Sequence, residues 1–176
     1  MDFQAFAQQV VDFVRSNESW AMPIVFALAF GESLAFISLL IPATVALVGI
    51  GALIGASGID FVPIWISASL GAAVGDWLSF WFGKTFKDAV AQIWPLSHYP
   101  DLIPRGERFV ERFGVYAVVI GRFFGPLRAS VPLSAGILAM PFWPFQIANF
   151  VSAFLWAAVL LTLGDGISTV VKYFLG

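Results

Sequence analysis

The sequence predicts an all-α integral membrane protein built as an inverted repeat, and three observations predict it. Of 176 residues, 60% are hydrophobic and 11% charged, whereas a soluble domain usually carries about 25% charged residues. So few charges cannot coat a water-facing globule, and a bilayer is the natural solvent for this composition. Two apolar runs have the length of one membrane crossing, and two others are interrupted by charge, proline and glycine. The interruptions recur at matching places in the two halves. The net charge of −2 gives no footing for nucleic-acid binding. The absence of cysteine excludes disulfides, thiolate metal sites and cysteine catalysis.

The first element is an expected interfacial helix over residues 3–14. Phe3, Phe6, Val10 and Phe13 share one helical face, and Gln4, Gln8 and Asp12 lie on another. Asp2, and the lack of an apolar run before Trp20, do not fit a secretory signal. Residues 20–58 are apolar but interrupted by Glu32, Pro42 and several glycines. Residues 61–83 form a near-continuous run that fits one span, since a spanning helix needs about 20 apolar residues.

Residues 84–113 are the polar middle, which Pro95, Pro100 and Pro104 are expected to break into turns. Within it, residues 105–113 predict a second interfacial helix, with Phe109 and Phe113 four apart. Residues 114–140 contain Arg122, Pro126, Arg128 and Pro132. That run is too short for two spans and too broken for one. A re-entrant hairpin fits better, and such backbone is tolerated at membrane depth only inside protein or beside water. Residues 142–164 form the second span, followed by a short tail with Lys172. Trp20, Trp94 and Trp143 sit at block edges, where tryptophan anchors to the interface.

The two halves align. Gly31-Glu32 is followed by Pro42, ten residues after the charge, and Gly121-Arg122 by Pro132 at the same distance. Gly75-Asp76 and Gly164-Asp165 then follow at nearly equal spacing, an offset near 90 residues between halves. One membrane domain over 1–176 is expected: repeat one over 1–84, a polar connection over 85–104, and repeat two over 105–176. Each repeat reads as interfacial helix, broken hairpin and one full span. A hairpin adds no net crossing and a span adds one, so the halves insert in opposite directions. This is the plan of many transporters, whose broken helices meet near the midplane. The expected hairpin breaks are Pro42 in the first half and Gly125, Pro126, Pro132 and Gly136 in the second.

Charges inside such segments are costly. A charged side chain at the bilayer centre costs roughly 2.5–3.5 kcal/mol on insertion scales. Glu32, Arg122 and Arg128 must therefore face protein or water and interact with each other. If the hairpin tips meet, Glu32 pairs with Arg122 or with Arg128, and one arginine is left over. A spare guanidinium in a dry site suits a phosphate, which it grips with two parallel hydrogen bonds. Helix N-termini at the breaks add backbone N–H groups suited to the same anion. The run Gly71-Ala72-Ala73-Val74-Gly75 allows close helix approach. Asp76 beyond it can relay a proton, hold an arginine, or lie near the interface. Asp165 reads as interfacial and His98 as a solvated loop residue.

The stretch Phe113-Gly114 through Gly121-Arg122-Phe123-Phe124-Gly125-Pro126-Leu127-Arg128, then Pro132 and Ala135-Gly136, resembles the signature of the DedA family. That family carries the domain called SNARE-associated or VTT. Supporting matches are Glu32 with Pro42, Gly71 to Asp76 followed by Phe80 and Gly83, and Phe145, Asn149 and Trp156. The resemblance covers nearly the whole chain. It implies a multi-pass bacterial inner-membrane protein with two opposed re-entrant hairpins, and it implies lipid transport. Members are linked to flipping undecaprenyl phosphate or phosphatidylethanolamine, and eukaryotic relatives scramble phospholipids. The family's essential charges correspond here to Glu32, Arg122 and Arg128. Many members carry a second carboxylate two residues after the first hairpin's proline, where this chain has Thr44.

The expected function is therefore translocation of undecaprenyl phosphate, with Arg122 and Arg128 on the phosphate and Glu32 or Asp76 as charge partner or proton site. Alternatives are a flippase or scramblase of phosphatidylethanolamine or other phospholipids, and a proton-coupled transporter of small cations. An enzyme is not expected, because no cluster has metal-ligand spacing and no histidine lies in or beside an apolar block. No cofactor or metal is expected, and the partner is a membrane lipid with a phosphate head group. Five basic residues between Lys84 and Arg112 favour a cytoplasmic middle segment with both termini outside.

Overall fold

The computed structural model describes residues 20–34, 44–57, 60–87, 89 and 96–175. Among these residues every regular element is helical. In chain order they are α1 (Ala21–Ser33), α2 (Thr44–Ser57), α3 (Phe61–Phe86), α4 (Leu102–Phe113), α5 (Tyr116–Gly121), α6 (Gly125–Ile137) and α7 (Phe142–Leu175). A 3₁₀ turn, Leu96–His98, precedes α4.

The prolines explain several helix starts. Pro23, Pro63, Pro104 and Pro144 each fall in the first turn of a helix. The first N–H groups of a helix have no intrahelical acceptor, so proline loses nothing there. Pro104 is thus a correction to the sequence expectation: it lies within the first turn of α4 and does not break the segment. Ends follow equally local rules. Leu34 leaves α1 in extended conformation at φ −75° and ψ 122°. Gly114 terminates α4 at φ +56°, a conformation that costs a residue without Cβ little.

Among the described residues two helices are long and apolar enough to cross a membrane: Phe61–Phe86 and the Phe142–Gly166 part of α7. Each turns one face inward and leaves another bare. Val62, Ile66, Leu70, Trp77 and Trp81 are exposed along α3, as are Ile147, Val151, Leu155, Val159 and Leu163 along α7. Contiguous apolar surface of this extent belongs against lipid rather than water. The helix carrying the second span runs about a decade further than expected: Lys172, read as tail, lies inside α7. Gly164, Asp165 and Gly166 interrupt the apolar run without ending the helix.

The two interrupted runs each form two short helices, α1 with α2 and α5 with α6. At 13, 14, 6 and 13 residues, none approaches the length of a span. Their packing is reciprocal. Helix α2 of the first half crosses α7 of the second, and α6 of the second half crosses α3 of the first. Both crossings are backbone-close at glycine. A Cβ on Gly51 would strike the Leu161 carbonyl, and one on Gly164 the Val48 carbonyl. At the other crossing, Gly83 faces the Leu133 carbonyl and Gly136 the Phe80 carbonyl. Helix α1 packs on α3 the same way, with Gly71 against Phe26 and Gly75 against Phe30, as the small-residue run predicts.

These contacts correct two expected breaks. Pro132 lies inside α6, not at a break; it deprives the Arg128 carbonyl of its i+4 N–H donor without ending the helix. Gly136 sits in the last turn of α6, and its lack of a side chain serves the crossing with α3. The break itself runs over Arg122–Phe124, and Gly125 and Pro126 open α6 immediately after it. Pro42 and the expected interfacial helix at 3–14 lie outside the described residues. The other interfacial segment begins earlier than expected, at Leu102. Its Leu102, Ile103, Gly106 and Val110 are buried, while Arg105, Arg108 and Arg112 are exposed.

The core has two main parts. One gathers α1, α2, α3 and α7 around Val25, Ile50, Ile64 and Leu161. The other gathers α3, α4, α5, α6 and α7 around Phe80 and Phe145, whose rings stack at 4.1 Å.

Candidate functional site

Four helices bring buried polar residues together. Helix α1 delivers Glu32 and Ser33 at its C-terminal end, and α3 delivers Asp76 and Ser79 from its middle. The break after α5 supplies Arg122, and the first turns of α6 supply Arg128. Helix α7 contributes Asn149, Ser152 and Trp156. All of these residues are buried.

Helix-end electrostatics already constrain the pairing. Arg122 caps the C-terminus of α5, where the helix dipole favours a cation. Glu32 at the C-terminus of α1 and Arg128 near the N-terminus of α6 both oppose their local dipoles. Each needs an opposite charge, and they supply it to each other. Arg128 Nη1 donates to Glu32 Oε1 at 3.0 Å. Its Nη2 donates to Ser33 Oγ at 3.2 Å. Its central carbon lies over the Trp156 ring, 3.9 Å from the ring centre.

Arg122 is held differently. Its Nη2 donates to Asp76 Oδ2 and to Asn149 Oδ1, the latter at 2.6 Å. Its Nε donates to Ser152 Oγ at 2.9 Å. These partners are themselves fixed. Asn149 Nδ2 donates to the Ala73 carbonyl at 2.9 Å and to Gln146 Oε1 at 3.2 Å, and Ser152 Oγ donates to the Asn149 carbonyl at 3.0 Å. A cross-braced network of this kind ties α3, α7 and the α5–α6 break into one unit.

The expected meeting of acid and base is present, with a correction to its stoichiometry. Glu32 pairs with Arg128, and Arg122 is not left over, because Asp76 takes it. Of the alternatives for Asp76, it holds an arginine. Hydrogen-bonding capacity nonetheless remains in both pairs: a donor on each arginine and an acceptor on Asp76. Among the described residues, Arg122 Nη1, Arg128 Nε and Asp76 Oδ1 are buried and make no hydrogen bond, a state that costs free energy unless another group uses it.

Ser33, Asn149, Ser152 and Trp156 were not singled out as site residues from the sequence. Their signal was there. Gln146, Asn149, Ser152 and Trp156 recur at helical spacing within an apolar run, a polar stripe that no lipid-facing surface tolerates. His98 is exposed, as expected, and so are Trp20 and Trp143. Trp94 and Pro42 fall outside the described residues.

Comparison with known proteins decides the family. The VTT domain matches residues 41–166, which include Asp76, both arginines and the polar stripe of α7. This chain belongs to the VTT domain family, the DedA proteins. The inner membrane protein YabI of Escherichia coli is 34% identical over 144 residues, covering 82% of this chain and 57% of YabI. The inner membrane protein YghB of the same organism is 31% identical over 153 residues, covering 84% of this chain and 68% of YghB. YqjA, also an inner membrane protein, is 30% identical over 146 residues, covering 80% and 64%. This chain spans under three fifths of YabI and of an uncharacterized membrane protein from Buchnera aphidicola. No solved structure matches it significantly. The apolar α3 and α7 and the family together make it an inner membrane protein.

Proposed function

We propose that this protein translocates a lipid with a phosphate head group, undecaprenyl phosphate above all, across the inner membrane. The observation that carries the reading is the buried Arg128 guanidinium. It is paired with Glu32 at 3.0 Å and keeps an Nε donor that makes no hydrogen bond among the described residues. A phosphate fits that cation, since a planar guanidinium grips two phosphate oxygens in parallel. The N-terminus of α6 lies within a turn of Arg128, and its leading N–H groups favour an anion there. Glu32 competes with the phosphate for Arg128, which gives a route to release. Arg122, braced by Asp76, Asn149 and Ser152, supplies a second positive charge and fixes the break beside Arg128. No bond is made or broken in this cycle, so the protein works as a transporter rather than an enzyme.

The same reading includes an inverted repeat with two re-entrant hairpins, α1–α2 and α5–α6. Support comes from the short helices and from the reciprocal glycine crossings, Gly51 with Gly164 and Gly83 with Gly136. A prenyl or acyl tail stays in lipid while the head group passes between the hairpins.

The adjacent carboxylate and guanidinium also suit a zwitterion, with Glu32 on an ammonium and Arg128 on a phosphate. Phosphatidylethanolamine is therefore the second reading. Competition between the two lipids for purified protein, read by native mass spectrometry, separates them. Retention of undecaprenyl phosphate against excess phosphatidylethanolamine supports the first reading, and displacement supports the second. Wild-type affinity for both lipids in Arg128→Ala rejects both.

A further inference from the structure

The contact between Arg128 and Trp156 has a geometry that the hydrogen bonds do not share. Glu32 and Ser33 meet the guanidinium along its edge, through Nη1 and Nη2. The guanidinium's central carbon lies over the Trp156 ring, 3.9 Å from the ring centre. An edge contact consumes an N–H donor. A face contact consumes none, because the attraction is between the cation and the ring quadrupole. The indole is itself only 4% exposed and sits on the long spanning helix α7. It is therefore a fixed wall beside a cation whose edge partners can change.

We propose that Trp156 is the positioning residue of the Arg128 guanidinium, holding its charge by stacking while the edge donors pass between Glu32 and a lipid phosphate. This rests on the reading of Arg128 as the head-group ligand. The physical need is specific. When Glu32 lets go, an unstacked guanidinium in a dry site is left without compensation at the moment of exchange. The ring face supplies compensation throughout, while Nε and Nη2, the latter now donating to Ser33, form the edge that meets the incoming oxygens. A bulky aliphatic side chain at 156 fills the same volume without that attraction.

The test replaces Trp156 site-specifically with mono-, di- and trifluorinated tryptophan, which withdraws charge from the ring face while leaving its shape nearly unchanged. Uptake of undecaprenyl phosphate is measured in proteoliposomes as apparent KM and maximal rate, with Arg128→Ala and Trp156→Met alongside. Apparent KM should rise stepwise, by about two- to threefold per fluorine, and by about tenfold in Trp156→Met. Trp156→Phe should recover most of the affinity lost in Trp156→Met. A flat fluorination series, with Arg128→Ala strongly impaired, overturns the role of Trp156 and leaves the head-group site standing. Unimpaired Arg128→Ala overturns the head-group site itself. The fluorinated series keeps the fold, so a poorly folded Trp156→Met does not decide the outcome.

Discussion

The two arginines sit six positions apart in the sequence, yet their surroundings are unlike. Arg122 has only 1% of its side chain exposed and its partner Asp76 4%, whereas Arg128 and Glu32 stand at 9% and 8%. Arg122 is enclosed by side chains that are themselves hydrogen-bonded into α3 and α7. Arg128 is gripped along its edge by residues at the end of α1 and supported on its face by an indole. Every arm of the first site is anchored on a spanning helix or its brace. The second joins two short helices, α1 and α6, from different halves of the chain. The difference teaches that equal charges in one buried site need not share one task. Arg122 fastens the break to the spans, and in the proposed function Arg128 is the cation that changes partners.

The largest effect should come from breaking the fastened pair. Arg122→Ala leaves Asp76 buried and uncompensated, which destabilises by about 3–5 kcal/mol. Thermal unfolding in detergent should show it as a large loss of folded protein. Asp76→Asn should be milder, because the amide still accepts a hydrogen bond from Arg122. Near-normal stability of Arg122→Ala would make the two arginines equivalent and remove the contrast.

Next in size is the effect of Glu32→Gln on the exchangeable pair. With the competing charge removed, undecaprenyl phosphate should bind more tightly, by roughly tenfold if the pair couples by about 1.4 kcal/mol. Turnover should fall, because release loses its driving partner. Equilibrium binding and initial transport rate, measured on one preparation, separate the two quantities. Weaker binding in Glu32→Gln would place the carboxylate on the substrate instead, as an ammonium ligand.

Smaller still are the braces. Asn149→Ala removes one acceptor, Oδ1, from Arg122 and a donor from the Ala73 carbonyl, and should cost about 1.5–3 kcal/mol, the range for hydrogen bonds to charged groups. Ser152→Ala should cost nearer 1 kcal/mol. Ser33→Ala should affect stability less than either and should register in lipid affinity instead. Equal stability losses across the three variants would show that the two sites are braced alike.

Much of the architecture was legible because hydropathy and helix length are local properties. The spans at 61–83 and 142–164 became α3 and α7, and the interrupted runs became pairs of short helices. Glu32, Arg122 and Arg128 stood out because charge inside an apolar run has few harmless explanations. Pairing was not legible in the same way. Asp76 and Arg122 lie 46 residues apart and Glu32 and Arg128 lie 96 apart, and no periodicity links positions on different helices. Reading Asp76 as one of several possibilities hid the second pair and produced a spare arginine that the structure removes. Pro132 misled for a related reason: a proline marks a lost backbone hydrogen bond, and only packing decides whether the helix ends there.

The most direct test compares Arg122→Ala and Arg128→Ala in one experiment, with folded fraction measured before and after reconstitution and undecaprenyl phosphate transport normalised to folded protein. Arg128→Ala, which takes the partner charge from buried Glu32, should also lose stability but less than Arg122→Ala, and the protein that stays folded should lose transport. Matching stability and matching transport in the two variants would contradict the division of labour, and full transport in Arg128→Ala would contradict its role as the phosphate ligand.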